Sequence, residues 1–412
     1  MNQPNSLRIG FATPEYPGWT PYGGIGVYVK AMAASMARMG HQTFVLLCNP
    51  KPMARDETSA VPVVIVAPRK ANRFPFPVGR GPTMMLGRCL ASTARELHLD
   101  ILEAPDFGGL AAFLPTGGSR PFRVVVRLHT CTSLVRSLNN GRPTSLKEAA
   151  TDFLIDRIER RGIIHADAIT SISTGTTTET LRVHGLSRDD IVTIPNPVSQ
   201  AFLDVPPHPT ARGEQGPVLL FVGRLEWRKG PDILVRAFLE VLRNFPKARL
   251  RFVGSDTPTA PGNSSMLNYL RSLVAGEALS HIEFLGARPP GDLPQIYGES
   301  NVCIFPSRWE GFGIVCAEAM ACGRPVIVPR NSGFAENITH LKNGVIIRQN
   351  DPGSLAHTLG GLLSNPSLRA SVGAAAKQYA VDHFKESVVA ASVVQIHKRV
   401  LRSRPDLENH GN

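Results

Sequence analysis

The sequence has no uninterrupted apolar run of the eighteen or so residues that a membrane-spanning helix needs. Its first residues, Met1-Asn2-Gln3-Pro4-Asn5, lack the apolar stretch of a signal peptide, so the expectation is a chain that starts here and stays in the cytoplasm. Cysteine is scarce, six in 412 residues with no C-x-x-C pair. Several lie in apolar runs such as 44–48, which reads as reduced, buried thiols rather than a disulfide or metal framework. No D-x-D triplet occurs, so the acids that hold a cation on a nucleotide diphosphate are missing and no metal is expected. Basic residues are scattered, without zinc-finger spacing or an RNA-binding aromatic motif, and nucleic acid is set aside as a partner.

What is there is length and positive charge. A chain of 412 residues with 42% apolar content exceeds what one core usually serves, so two domains are expected. Lys and Arg number 45 against 33 Asp and Glu, a net +12. With nucleic acid set aside, phosphorylated small molecules or anionic lipid headgroups remain as partners. The densest basic spots are 157–161 and 69–80. In the second, Arg69, Lys70, Arg73 and Arg80 are interleaved with Phe74 and Phe76 among prolines. That pattern suits a peripheral contact with an anionic membrane, or an ordinary long loop.

Two blocks alternate short β-branched runs with helical patterns, the mark of parallel α/β sheets. In the first block, strands are expected over 7–13, 44–48, 63–67, 101–103, 124–128 and 168–171. Ile25, Val29, Met32, Met36 and Met39 mark one face of a helix that Gly40 stops. Around 195–217, Pro195, Pro197, Pro206, Pro207, Pro209 and Pro217 accompany Gly213 and Gly216. No regular element is expected at that density, so the stretch reads as an interdomain linker. The second block has strands expected over 218–222, 250–253, 282–285, 302–305, 326–328 and 345–347, and a helix over 231–244. Val389, Val393, Ile396 and Val400 mark a last amphipathic helix.

The richest segment for chemistry is 305–323. A strand ending near Phe305 and a helix starting near Gly313 put Glu310 in the loop and Glu318 in the second helical turn. Gly311 and Gly313 leave amides uncovered at the positive helix end, which suits phosphate or sugar oxygens. The carboxylates can accept hydrogen bonds from neighbouring hydroxyls of a sugar or ribose. Taken alone, the same residues also read as a glycine turn with two solvated glutamates. A second segment, 221–230, places Gly223 at a strand end, then Arg224 and Lys229. Ligands of open α/β sheets sit at the carboxyl ends of strands, and a guanidinium fork with an ammonium suits a diphosphate. A solvated basic loop is the alternative.

The order G-R-L-x-x-x-K-G at 223–230, F-V-G at 252–254, F-L-G at 284–286 and E-G-F-G-I-x-x-x-E-A-M-A-C-G-x-P-V-I at 310–327 resembles the large retaining glycosyltransferase family four. The resemblance covers essentially the whole chain and is densest over 218–348. It implies a GT-B fold of α/β class, two Rossmann-like domains with parallel sheets facing across a cleft. Domains are then placed at 1–205 and 206–385, with a helix at 386–402 crossing back to the first.

The resemblance also implies roles. Arg224 and Lys229 match the family's diphosphate clamp, Glu318 its ribose-holding carboxylate, and Glu310 the contact to the transferred sugar. Phe312, Gly313 and Ile314 supply amides, with Gly311 beside them. The segment from Gly286 to Arg288 matches the lining of the nucleobase. Tyr22-Gly23-Gly24-Ile25-Gly26 matches the glycine-rich loop whose amides face donor phosphate and acceptor. A nicotinamide-binding G-x-G-x-x-G fits poorly there, because its third glycine would be Val29. His129 matches the active-site histidine that hydrogen-bonds the donor sugar. Two departures stand out: Pro197 follows Asn196 where the family often has Gly, and the chain reads Gly333-Phe334-Ala335-Glu336 where the family commonly shows Gly-Gly before the Glu.

The implied activity is transfer of a hexosyl-type sugar from a nucleotide-diphosphate sugar to a hydroxyl acceptor on a sugar, glycolipid or small molecule. It retains configuration and needs neither metal nor cofactor. The setting is polysaccharide, glycolipid or other glycoconjugate biosynthesis. A sugar phosphorylase, a nucleotide-sugar epimerase and a non-catalytic nucleotide-sugar binding module are the competing readings.

Overall fold

A computed structural model describes residues 6–20, 22–49, 61–66, 80–117, 120–138, 145–206 and 216–403. The chain runs β1 (Arg8–Thr13), α1 (Gly24–Arg38), β2 (Gln42–Leu47), β3 (Val63–Ile65), α2 (Arg80–Glu96), β4 (Ile101–Pro105), β5 (Arg123–Leu128), α3 (Thr132–Leu138), α4 (Leu146–Ile164), β6 (Ala168–Ser171), α5 (Thr174–His184) and β7 (Val192–Thr193). It continues α6 (Gln200–Leu203), β8 (Val218–Val222), α7 (Pro231–Asn244), β9 (Arg249–Val253), α8 (Met266–Ser272), β10 (Ile282–Phe284), α9 (Leu293–Gly298), β11 (Val302–Ile304), α10 (Ile314–Ala321), β12 (Val326–Pro329), β13 (Val345–Ile347), α11 (Pro352–Ser364), α12 (Pro366–His383) and α13 (Glu386–Arg402).

Two compact units result. One is built from the chain up to Pro197 (Leu138 excepted) and from Glu386 onward; the other is built from Val198–Lys385. The first holds a seven-stranded sheet in the order β3-β2-β1-β4-β5-β6-β7, and the second a six-stranded sheet in the order β10-β9-β8-β11-β12-β13. The strand pairs in both are parallel. In each sheet the order reverses beside the first strand of the unit, between β1 and β4 and between β8 and β11. Ligands of doubly wound sheets sit at the carboxyl ends of the strands at such reversals.

The central strands of the first unit are buried on both faces, so they read as continuous apolar runs rather than alternating ones. Their side chains still divide by parity. Val124 and Val126 of β5 join one core with Leu46 and Leu102, while Val125 joins another with Val45, Leu47 and Ile101. That second core holds the apolar face of α1, including Val29, Met32 and Met36, together with Val389, Ala390, Val393 and Val394 of α13. The last helix therefore completes the unit in which the chain began.

Polar groups thread this packing. His397 Nε2 of α13 lies 3.0 Å from Glu103 Oε2 of β4, and the Tyr28 hydroxyl donates to Glu103 Oε1 at 2.6 Å. Burial pushes the Glu103 carboxyl up, but His397, Arg127 and Tyr28 together bring it below its ordinary range. The Arg127 guanidinium covers the Tyr28 ring at 4.1 Å and donates to the carbonyl of Ile194 at 2.8 Å. A buried charge is tolerable only with such partners.

The proline-rich stretch needs a correction. It contains the single-turn α6, with Ser199 ahead of it and Phe202 and Leu203 buried. Its prolines fall at both ends, at 195 and 197 and then from 206 onward, which leaves the eight residues between Pro197 and Pro206 free to coil. All six cysteines are free thiols, five buried and Cys89 half-buried. Among the described residues, no helix is long and apolar enough to cross a membrane. Of the segment expected to touch lipid, 69–79 lies outside the described residues and Arg80 opens α2.

Candidate functional site

In the second unit the loops after β8 and β11 meet. Gly230 has φ +66° and precedes Pro231, the first residue of α7. A Cβ there would fall 2.2 Å from the Pro306 carbonyl oxygen, so only glycine lets the two loops approach. Arg308 locks them: its guanidinium forks onto the Asp232 carboxylate at 2.8 and 2.7 Å and lies 4.0 Å over the Trp227 ring.

This packing gathers five alternating charges. Arg224 pairs with Glu226 at 2.6 Å, Glu226 with Arg228 at 2.7 Å, Arg228 with Glu310 at 3.5 Å, and Glu310 with Lys229 at 3.3 Å. The Glu226 side chain is fully enclosed, whereas Arg224 stands 61% exposed at the end of the row. Burial pushes the Glu310 carboxyl up; Lys229 and Arg228 overcome it and leave the group below its usual range, ionised at neutral pH. The sequence reading named Arg224, Lys229 and Glu310 but passed over Glu226 and Arg228. Their only signal was the alternation of sign at 224–229.

Gly313 has φ +76° and caps α10 with no side-chain hydrogen bond. Ile314 opens that helix, so the end that faces solvent is supplied by backbone alone. Phe312 contributes differently: its ring is buried with Phe334 and Phe384, at centroid distances of 5.3 and 5.6 Å. Phe334 therefore fills the core beneath the loop. Gly333 keeps the loop close, since its amide donates to the Glu310 carbonyl at 2.8 Å. A Cβ there would meet the Gly311 oxygen at 1.9 Å.

Glu318 is buried one turn into α10. It accepts from the Tyr297 hydroxyl at 3.0 Å, and burial raises its carboxyl to about 7. The reading of a solvated helix glutamate is thus excluded. Gly286 and Arg288 are exposed on the loop after β10, the edge strand, two strands away from β8.

The first unit corrects one expectation. The amides of Gly23 and Gly26 do not stand open to an anion, because Glu15 Oε1 accepts both, at 2.8 and 2.9 Å. A carboxylate at the positive end of α1 supplies the counter-charge internally. Gly24 is exposed with open space about it. Glu15, just beyond β1, was missed because the glycines drew attention to the amides and not to what might bind them.

His129 follows β5 directly and is 8% exposed. Its backbone N–H donates to Asp106 Oδ1 at 2.8 Å, and Tyr28 meets its ring edge-on at 5.4 Å. Burial, with Arg127 nearby, holds the imidazole well below its ordinary pKa, so it is neutral and has one nitrogen to donate and one to accept. Asp106, also unnamed by the sequence reading, follows β4 and ties its loop to the one after β5.

Two parallel-sheet Rossmann-like units give this protein the GT-B fold, and the family models it matches make it a glycosyltransferase. The chain matches the Glycosyltransferase Family 4 model over residues 22–202 and the Glycosyl transferases group 1 model over 207–379, and it belongs to that family. It is 26% identical over 410 residues to a D-inositol 3-phosphate glycosyltransferase of Corynebacterium efficiens, covering 93% of this chain and 91% of that one. The Corynebacterium jeikeium enzyme of the same name is 34% identical over 182 residues, 44% of this chain and 42% of that relative. Anabaena HepE, solved with UDP and glucose, superposes with a TM-score of 0.68 at 19% identity, covering 95% of this chain and all of that one.

Proposed function

We propose that the enzyme moves a hexosyl group from a nucleotide-diphosphate sugar to a hydroxyl acceptor, retaining configuration and using side-chain cations rather than a metal at the diphosphate. The observation that carries this is the row Arg224–Glu226–Arg228–Glu310–Lys229 at the carboxyl ends of β8 and β11. Cations held by carboxylates on a rigid scaffold cost little reorganisation when charge develops on a leaving diphosphate. The missing D-x-D supports the same reading.

In the proposed step the bond from the anomeric carbon to the diphosphate oxygen breaks and a bond to the acceptor oxygen forms on the same face. The acceptor proton passes to the departing phosphate, giving a nucleoside diphosphate and a glycoside. No enzymic nucleophile enters. Lys229 and Arg224 stabilise the diphosphate, Glu310 and neutral His129 position sugar hydroxyls, Glu318 holds the ribose, and the amides of Phe312, Gly313 and Ile314 face the donor. Gly311 and Gly286 leave space, with Arg288 beside the base.

The name of the relatives makes an inositol phosphate the first acceptor to try, and HepE makes a UDP-sugar the first donor. Purified enzyme is incubated with UDP-, GDP- and ADP-sugars, with and without acceptor, in chelator. One donor should turn over, faster with acceptor, and NMR should show the donor's anomeric configuration in the product. Turnover that needs inorganic phosphate, or epimerisation without an acceptor, would overturn the assignment. A cytoplasmic site with peripheral contact to anionic membrane is part of the proposal; absence of salt-sensitive sedimentation with anionic vesicles ends that part.

A further inference from the structure

Beside His129, in the first unit, three side chains from separate elements converge without serving the proposed transfer. Cys131 follows β5, Glu159 belongs to α4, and His184 is the last residue of α5. All three are buried, and a thiol sulfur, a carboxylate oxygen and an imidazole nitrogen lie within 4.8 Å of one another. His184 is enclosed, yet neither of its ring nitrogens has a hydrogen-bond partner among the described residues. Its Nε2 lies 3.9 Å from Glu159 Oε2, too far for a hydrogen bond.

The carboxylate is held as a ligand is. Glu159 Oε1 accepts from the Gly108 amide at 2.8 Å and from the Thr132 hydroxyl. The Thr132 amide lies 3.2 and 3.1 Å from the two oxygens, so Oε2, which faces His184, receives only a shared bond. Carboxylates that bind metals are oriented by such outer hydrogen bonds. The enclosed His184 imidazole, by contrast, has neither ring nitrogen satisfied among the described residues.

We propose that Cys131, Glu159 and His184 form a zinc site that pins the loop carrying His129 to α4 and α5. A thiolate and a carboxylate bring two negative charges and the imidazole none, so a divalent ion neutralises the set. Mixed sulfur, nitrogen and oxygen donors suit zinc, whose bonds of about 2.0–2.3 Å need ligand atoms roughly 3.3–3.7 Å apart in a tetrahedron. The nitrogen and oxygen here are already close to that separation. Three protein donors leave the fourth tetrahedral position to water; the site is distinct from the diphosphate cations of the second unit and does not depend on the proposed reaction.

The test uses the full chain purified without metal-affinity chromatography. Elemental analysis should find about one zinc per chain, and its removal by chelator should lower Tm, with recovery on adding zinc alone. Cobalt in place of zinc should give a thiolate-to-metal charge-transfer band. Cys131→Ser should lose that band, and His184→Ala should lose most of the metal. If the wild-type chain takes up neither zinc nor cobalt, the cluster is a neutral packed one and the proposal fails. It fails equally if wild-type cobalt protein lacks the thiolate band, a result that does not depend on the variants folding, or if both variants keep full metal.

Discussion

Lys229 Nζ stands 3.3 Å from Glu310 Oε2, so the ammonium proposed to meet a diphosphate is already paired across two loops. Both side chains are mostly enclosed, at 14% and 15% exposure, where an ion pair is screened less than at the surface. On the proposed function, a diphosphate would find the cation oriented but not free, and Glu310 would exchange that partner for a sugar hydroxyl.

Glu310→Gln keeps the shape and removes the charge. We expect kcat to fall about 10²–10³-fold, the scale of losing one preorganised group, with nucleoside diphosphate affinity unchanged or tighter because Lys229 is released. Steady-state kinetics beside calorimetric binding checks this. Undiminished turnover would remove Glu310 from the chemistry.

Lys229→Met should weaken binding of the nucleoside diphosphate and slow transfer by about 10²-fold or more. Arg224→Ala should do less, because the side chain is 61% exposed and screened. Equal effects from the two would contradict the ordering by burial.

Glu318 gives a pH signature. Its folded carboxyl sits near 7, raised by burial from 4.5. In the free enzyme its contribution to stability is fully present below about 4.5 and is lost as pH rises through about 7, because the neutral form is preferred inside. Ribose hydroxyls favour the ionised acceptor, so binding should release a proton near pH 7 and weaken as pH falls below it. Calorimetry in buffers of differing ionisation enthalpy measures that proton, and Glu318→Gln should abolish it.

Gly230→Ala combines a positive φ with a contact of 2.2 Å to a backbone oxygen. A loss of about 2–4 kcal/mol is expected, read as a fall in Tm, because neither the loop nor Pro306 can retreat cheaply. A variant as stable as the parent would show that the two loops do not meet as described.

Truncation after residue 385 removes the α13 half of a shared core and strips Glu103 of His397. Transfer should be lost while nucleoside diphosphate binding by the second unit persists. Retained transfer would refute a requirement for the last helix.

Most strands and the charge-bearing loops were legible from pattern. Parallel sheets buried on both faces leave continuous β-branched runs, and prolines and glycines punctuate them, which is why 218–222 and 231–244 coincide with β8 and α7. Less legible was α6, hidden because proline density was read without regard to the gap between prolines. The Glu15 contact was invisible for another reason: which carboxylate reaches which amide depends on how a loop folds back, and neighbours in sequence do not say.

By itself the sequence determined the class of the fold, the family, and the residue types carried to the strand ends, because periodicity and glycine placement are local properties of the chain. Only the tertiary structure decided which charges pair, that Glu318 is buried against Tyr297, that His129 is neutral, and that Cys131, Glu159 and His184 share one pocket. Those are consequences of burial and of contacts between residues dozens of positions apart, where a few ångströms decide the sign of the electrostatics.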